Sequence, residues 1–141
     1  MEKTFAIIKP GAVKAGHANA IIDMIKKDGF IIARKENITI TKNQAEELYA
    51  EHASKPFFHE MVQVMTSSPV IVMSLEKPNA VKAWRDLMGA TDPLKAEKGT
   101  IRALYGKSIS ENAVHGSDSI PSAIRETDIF FPERKKSCCA H

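Results

Sequence analysis

A histidine followed by a run of small polar residues is the part of this sequence best suited to do chemistry. His115 ends a short apolar run, and the residues Gly-Ser-Asp-Ser at 116–119 lead into a predicted helix. At such a turn, backbone N–H groups and the helix dipole favour an anion. A neutral imidazole is a competent nucleophile near pH 7, and hydrogen bonds from Glu126 or Ser117 could fix its tautomer. The same residues also suit a capped turn in which His115 has no chemical role and Asp118 or Ser119 is merely an N-cap, so spacing alone leaves both interpretations open.

Several signatures of phosphate and metal sites do not occur in the sequence. It contains no G-x-x-x-x-G-K-[ST] loop, no G-x-G-x-x-G turn and no kinase H-R-D triplet, so bound phosphate would not lie in a P-loop. It also lacks H-E-x-x-H and a Cys-x-x-Cys pair, so a catalytic metal held by the protein's side chains is not expected. Cys138 and Cys139 are adjacent and suit free thiols, since neighbouring cysteines fit disulfide geometry poorly.

Length and composition indicate one ordinary globular domain. The chain has 141 residues, of which 43% are hydrophobic and 26% are charged. We predict a single domain over 1–141, with a short basic tail at 133–141. The net charge of +3 is too small to indicate a nucleic-acid or membrane partner. No stretch resembles a signal peptide or a membrane span, and free thiols suit a reducing compartment, so we expect a cytoplasmic protein.

Hydrophobic spacing predicts strands that alternate with helices. Strands are predicted at 4–9 before a turn at Pro10-Gly11, from 30 towards 40, at 70–73 and at 113–115. The predicted helices are one ending before Gly29, one after an N-cap at Thr41 with Tyr49 and His52 on one face, one opened by Pro56, one ending at Gly89, and one from Ile120 to about Thr127 after an N-cap at Ser119.

This order of elements predicts an α+β fold. Four strands with helices between them favour a ferredoxin-like sandwich, in which one helical layer covers a four-stranded, mainly antiparallel sheet. Periodicity alone leaves a small doubly wound sheet open. The segment 90–112 lacks periodicity and is predicted to be a long, partly irregular excursion, a kind of segment that is often functional.

Five segments taken together resemble nucleoside diphosphate kinases. They are T-F-A-I-I-K-P at 4–10, K-P-F-F at 55–58, R-D-L-M-G-A-T at 85–91, G-T-I-R at 99–102 and N-A-V-H-G-S-D-S at 112–119. The resemblance runs through almost the whole chain. Several ordered motifs at matching separations make it highly specific.

The resemblance implies a ferredoxin-like core and a ping-pong transfer of the terminal phosphate between nucleotides. A nucleoside triphosphate would phosphorylate His115, its diphosphate would leave, and a second diphosphate would take the phosphate. Matching positions imply that the imidazole is oriented by Tyr49, Ser117 and Glu126. The implied nucleotide contacts are Phe57 on the base, Asn112 on the sugar, and four residues on the phosphates, namely Lys9 (also near the ribose), Arg85, Thr91 and Arg102.

The resemblance also implies the substrates and the assembly. Stacking on a ring does not read base edges, so broad base tolerance is expected. Mg²⁺ is expected to arrive bridging the nucleotide phosphates, with little help from protein side chains. The expected partners are nucleoside di- and triphosphates and further copies of the chain, as a tetramer or a hexamer that the sequence does not separate. No membrane and no stable nucleic-acid partner is expected.

Three positions depart from the family pattern. Gly11 stands where Asp or Asn is common, Asp92 where Asn is common, and Pro121 where Glu is common. Asp92 adds negative charge beside a predicted phosphate contact, so binding strength is the property it is expected to affect. The C-terminus also lacks the longer tail of some relatives, which bears on the assembly.

Two other classes of function fit parts of the same pattern. One is a non-enzymatic nucleotide- or RNA-binding module on the same sandwich. An RNA-binding sheet would need exposed aromatic residues on its central strands, where the sequence has Ile, Val and Ala instead. A phosphohistidine relay protein would share the reactive histidine, but it needs no pocket for a base or a triphosphate. The segments around Phe57, Arg85 and Arg102 therefore argue against a relay.

Overall fold

Four strands form one antiparallel sheet. The structure, a computed structural model, describes residues 2–50, 54–56, 58–108 and 112–131. The strands are β1 (Glu2–Ile8), β2 (Ile31–Ile38), β3 (Val70–Lys77) and β4 (Val114–Gly116), in the order β2-β3-β1-β4. β1 pairs antiparallel with β3 and β4, and β2 pairs antiparallel with β3. The predicted α+β fold is therefore confirmed, and a doubly wound sheet, which needs parallel strands, is excluded.

Helices connect these strands. The helices of the described part are α1 (Pro10–Lys14), α2 (Ala18–Lys27), α3 (Lys42–Leu48), α4 (Phe58–Thr66), α5 (Ala80–Met88), α6 (Ile101–Tyr105) and α7 (Ile120–Phe130). The predicted N-caps are confirmed: the Thr41 hydroxyl accepts a hydrogen bond from the Gln44 backbone N–H, and the Ser119 hydroxyl accepts one from the Ser122 backbone N–H. None of these described helices is both long and apolar enough to span a bilayer.

Two short helices lie where the sequence predicted a turn (α1) and a partly irregular excursion (α6). β1 ends at Ile8, and Pro10 opens α1 instead of forming a turn, because a proline at the first helical position forfeits no helical hydrogen bond. The segment predicted to be irregular contains a 3-10 turn at Pro93–Lys95 and the five-residue α6. Such short helices show no periodicity. His52, predicted on one face of α3, lies outside the described residues.

Helices cover both faces of the sheet, so the prediction of a single helical layer is wrong. Ala6 and Ile8 of β1 pack in a buried cluster with α2 and α5, whereas Phe5 and Ile7 pack in a second cluster with α3, α4 and α7. The continuous apolar run of β1 is the pattern that burial on both faces produces, so the sequence held a signal for the second helical layer. A run this short cannot be told from a buried helical segment by periodicity alone. The two faces of β1 leave no surface for stacked bases, which argues against an RNA-binding sheet.

The end of α5 packs closely against the start of α6. Gly89 follows α5 with φ 86° and ψ −177°, a conformation that is essentially restricted to glycine. A Cβ at this position would lie 2.4 Å from Thr100 Oγ1, and Thr100 is the N-cap of α6. Because α6 carries Arg102, this contact helps to fix where the guanidinium lies.

Replacing Gly89 by Ala should therefore destabilise the fold. The strained backbone and the clash with Thr100 should together lower the free energy of unfolding by roughly 2–5 kcal/mol. Gly16→Ala is the matched control, because Gly16 also has a positive φ, 81°, but among the described residues no heavy atom other than those of its chain neighbours lies within 4 Å of its built Cβ. That control should cost about 1 kcal/mol. Urea unfolding measures both, and equal losses in the two variants would contradict the close packing at Thr100.

Candidate active site

The imidazole of His115, on β4, meets a carboxylate from α7. His115 Nε2 lies 2.9 Å from Glu126 Oε1, and Ser117 Oγ donates to the same oxygen at 3.0 Å. Ser117 and Glu126 are buried, while the His115 side chain is 15% exposed. A carboxylate can only accept, so Nε2 carries the ring proton and the lone pair lies on Nδ1. The structure thus brings these three predicted residues together and leaves one ring nitrogen able to act as a nucleophile.

The backbone before His115 adopts an unusual turn. Ala113 has φ 76°, which is uncommon for residues other than glycine. The Lys9 backbone N–H donates to Ala113 O at 2.8 Å, and the Val114 N–H donates to Asn112 O at 3.0 Å. These bonds close the turn and tie it to the end of β1. Backbone strain of this kind costs ~1–3 kcal/mol and is concentrated at functional sites.

Two buried donors near the imidazole have no hydrogen-bond partner among the described residues. The Tyr49 ring lies edge-on to the imidazole with centroids 5.7 Å apart, and its hydroxyl is unpaired. Burial, followed by the charge of Glu126, raises the pKa of this hydroxyl, so it remains able to donate. Arg102 donates to Gly89 O and Val114 O, each at 3.0 Å, but its Nε is unpaired. Unpaired buried donors are costly and suit a site that a ligand completes.

Lys9 is a second buried cation of the site. Its Nζ donates to Asn112 Oδ1 at 2.8 Å, and Asn112 Nδ2 donates to Thr91 O at 2.9 Å. Burial, and secondarily the charge of Arg102, lowers the pKa of Lys9 to about 7. Burial also lowers the pKa of Arg102, to about 10, which leaves its guanidinium charged at neutral pH. A bound anion would favour the charged form of Lys9 and raise its pKa again.

An open cavity of about 1050 Å³ lies between α5, α6 and the start of α7. Three of the predicted phosphate contacts line it, namely Arg85, Thr91 and Arg102, together with Asp118. Arg85 and Thr91 are exposed there. Lys9 lines a separate small cavity and is joined to Thr91 through the amide described above. The described residues contain no group of three or more His, Cys, Asp or Glu side chains that could hold a metal ion.

The departures from the family pattern have local explanations. Asp92 Oδ1 accepts from the Leu94 N–H at 3.0 Å, so its carboxylate caps the 3-10 turn. Pro121 lies in the first turn of α7 and Gly11 in α1, where neither disturbs a helix interior.

Three further residues considered in the sequence are not described by the structure, and one residue that supports the site was not predicted. Phe57, predicted to stack on the base, lies outside the described residues, as do Cys138 and Cys139. Sequence reasoning missed Thr100, whose hydroxyl accepts from the Ala103 N–H and caps the helix that carries Arg102. A threonine directly before an apolar helical turn was the available signal.

Solved structures share this architecture. The nucleoside diphosphate kinase of Encephalitozoon cuniculi is similar with a TM-score of 0.91 and 37% sequence identity, over 93% of this chain and 89% of that one. The enzyme of Halobacterium salinarum, solved in complex with CDP, has a TM-score of 0.89 and 39% identity, over 92% of this chain and 87% of that one. The fold is therefore the ferredoxin-like α+β fold of nucleotide phosphotransferases.

Sequence comparison gives the family. The nucleoside diphosphate kinase family model matches residues 2–136. A nucleoside diphosphate kinase of Geotalea uraniireducens (strain Rf4) is 50% identical over 133 residues, 94% of this chain and 97% of that protein. A nucleoside diphosphate kinase of Bdellovibrio bacteriovorus is 49% identical over 138 residues, which are 98% of this chain and 97% of that protein. The chain belongs to the nucleoside diphosphate kinase family, and it transfers the terminal phosphate of a nucleoside triphosphate to a nucleoside diphosphate.

Lys9 gives the fold a pH dependence that can be measured without a ligand. Its pKa is about 7 in the folded chain, against an ordinary value of 10.5. Between these values the unfolded chain holds the additional proton, so the Lys9 contribution to the free energy of unfolding should rise with pH, by up to ~1.4 kcal/mol per pH unit.

Replacing Lys9 by Met should remove this rise between about pH 7 and 9. Urea unfolding of both chains at several pH values in that window measures the difference. Lys14→Met is the control, because Lys14 is exposed and should keep the wild-type slope. Parallel pH profiles for the wild type and Lys9→Met would contradict the depressed pKa.

Proposed function

We propose that the transfer passes through a phosphohistidine formed on Nδ1 of His115. The observation that carries the proposal is the contact between Nε2 and Glu126 Oε1 at 2.9 Å, because it places the ring proton away from Nδ1. Ser117 donates to the same oxygen and keeps the carboxylate in place. The Tyr49 ring lies against the imidazole, and Arg102 donates to the carbonyl of the preceding residue, Val114. Both side chains keep a buried donor without a partner among the described residues, for which a phosphoryl group would supply acceptors.

The reaction has two half-reactions of the ping-pong type. In the first, the Nδ1 lone pair attacks the γ-phosphorus of a nucleoside triphosphate, the N–P bond forms, and the diphosphate leaves with the bridging oxygen and its electron pair. The ring proton stays on Nε2, where Glu126 stabilises the positive charge that the imidazole acquires. In the second, a terminal oxygen of another diphosphate attacks the phosphorus and the N–P bond breaks. His115 then returns to its neutral form.

The phosphate charge is met by residues from separate elements. Arg102 and Tyr49 offer buried donors, and Arg85 and Thr91 form the exposed wall of the cavity. Lys9 is a cation whose charged form a bound phosphate would favour. Phosphoryl transfer depends mainly on positioning and charge neutralisation, so such a set of donors can replace a P-loop. Mg²⁺ would come with the nucleotide and would neutralise part of the phosphate charge, with few ligands from the protein.

The remaining parts of the proposal concern the nucleoside, the assembly and the location. Asn112 contacts the sugar and Phe57 stacks on the base, which gives broad base tolerance because stacking ignores base edges. The chain forms a homo-oligomer, a tetramer or a hexamer, in the cytoplasm. Residues 1–141 form one domain, and the basic tail at 133–141 with its two cysteines takes no part in the chemistry.

The central test is transfer of label through the protein. Incubation with γ-labelled ATP should label the chain with an acid-labile, base-stable phosphate, and a chase with GDP should move the label to GTP. His115→Gln and His115→Ala should abolish labelling and turnover while the circular dichroism spectrum is kept. His59→Gln is the control, because His59 is exposed on α4. Label that survives the loss of His115, or label that is stable in acid, would refute the phosphohistidine.

The orienting role of Glu126 is tested separately. Glu126→Gln keeps the shape but removes the charge, and it should slow single-turnover phosphorylation at saturating ATP by about 10- to 1000-fold, or roughly 1.4–4 kcal/mol. Nucleotide affinity should change little, because Glu126 is not a proposed phosphate or base contact. Arg102→Gln should weaken binding and slow transfer together. Glu60→Gln, exposed on α4, is the control. An unchanged rate for Glu126→Gln would remove it from the catalytic residues.

A further inference from the structure

Trp84 is a core residue that contacts the backbone of His115. It is 0% exposed on the inward side of α5, and its indole Nε1–H donates to the backbone oxygen of His115 at 3.2 Å. Hydrophobic spacing accounts for Trp84 as a core residue of α5. A buried indole N–H needs an acceptor in any case. Here the acceptor is the carbonyl of the residue that carries the reactive nitrogen, so Trp84 also fixes the backbone of the nucleophile.

The indole also packs against the residue that follows His115. A Cβ at Gly116 would lie 2.5 Å from the Trp84 Cδ1 and Nε1 atoms, and 2.6 Å from the Met88 Cε. Only a residue without a side chain lets the indole come this close. Trp84 therefore fixes both ends of the peptide between His115 and Gly116. The hydrogen bond holds the His115 carbonyl, and the indole packs against the backbone of Gly116.

β4 depends on such side-chain support because its own pairing is limited. It has three residues and lies at the edge of the sheet, so β1 is its one neighbouring strand among those described. Arg102 donates to Val114 O and Trp84 donates to His115 O, both side chains reaching successive carbonyls of this strand. Arg102 is also a proposed phosphate contact, whereas the buried Trp84 acts only on the backbone.

We propose that Trp84 is a positioning residue for the phosphoryl transfer at His115. Its indole fixes the backbone of β4, and this keeps Nδ1 of His115 in line for attack on the γ-phosphorus. Trp84 also couples the nucleophile to the cavity, because its neighbour Arg85 lines that cavity and any shift of α5 would displace both residues. This role rests on the proposed function, since holding the strand matters to the rate only if His115 carries the phosphate.

The test compares Trp84→Phe with Phe30→Leu. Phenylalanine keeps an aromatic ring at position 84 but has no N–H to donate, so single-turnover phosphorylation at saturating MgATP should slow roughly 5- to 30-fold, while the Kd for ADP stays within about twofold. Phe30 packs edge-on against Trp84 with ring centroids 6.1 Å apart. Phe30→Leu therefore disturbs the same core with the indole N–H still in place, and its phosphorylation rate should stay within about twofold of the wild type.

Rates are compared at temperatures equally far below the Tm of each variant. A Trp84→Phe rate within twofold of wild type, or an equal slowing in Phe30→Leu, would overturn the positioning role. A wild-type chain that takes no phosphate from ATP would instead refute the proposed function.

A second measurement needs no variant, in case Trp84→Phe fails to fold. Trp84 is the only tryptophan in the sequence, so ¹⁵N-indole labelling gives a single N–H resonance. That resonance should be protected from solvent exchange and should move when His115 is phosphorylated, by more than it moves on binding of ADP alone. A resonance that exchanges freely and is the same in the phosphorylated and the ADP-bound chain would overturn the proposal.

Discussion

The buried carboxylate of Glu126 governs what His115 can do, because a charge removed from water must be met by hydrogen-bond donors. Its Oε1 takes the ring N–H of His115 and the hydroxyl of Ser117, which commits the imidazole proton to Nε2. The carboxylate comes from α7 and the imidazole from β4. Their meeting therefore depends on the pairing of β4 with β1 and on the N-cap at Ser119 that sets where α7 begins.

The rest of the site has more donors than acceptors, and this imbalance suits an anionic substrate. Tyr49 and Arg102 hold unpaired donors in the interior, and burial lowers the pKa of Lys9 to about 7. Each of these features costs stability in the free chain, and a phosphate bound as proposed would relieve that cost. The proposed cations are Lys9, directly after β1, Arg85 on α5 and Arg102 on α6, so in the proposed function separate elements together take the place of a P-loop.

Sequence reasoning reached those parts of the fold and site that depend on local signals. The caps at Thr41 and Ser119, the four strands and the residues His115, Ser117 and Glu126 follow from turn chemistry, apolar runs and an ordered motif. The covering of both sheet faces, the short α6 and the path from Trp84 to β4 did not follow. The continuous apolar run of β1 was the available signal for the two covered faces. A single helical turn and the direction of one indole are decided by tertiary packing, which leaves no periodic mark on the sequence.

The proposed transfer requires the proton of His115 on one ring nitrogen and the phosphate on the other. Long-range ¹H–¹⁵N correlation spectra of the chain labelled at histidine nitrogens report both, before and after addition of MgATP. We predict that the free chain has the proton on Nε2, next to Glu126. Phosphorylation should shift the ¹⁵N resonance of Nδ1 while the Nε2 proton remains. A free chain with its proton on Nδ1, or a phosphate on Nε2, would contradict the proposed transfer.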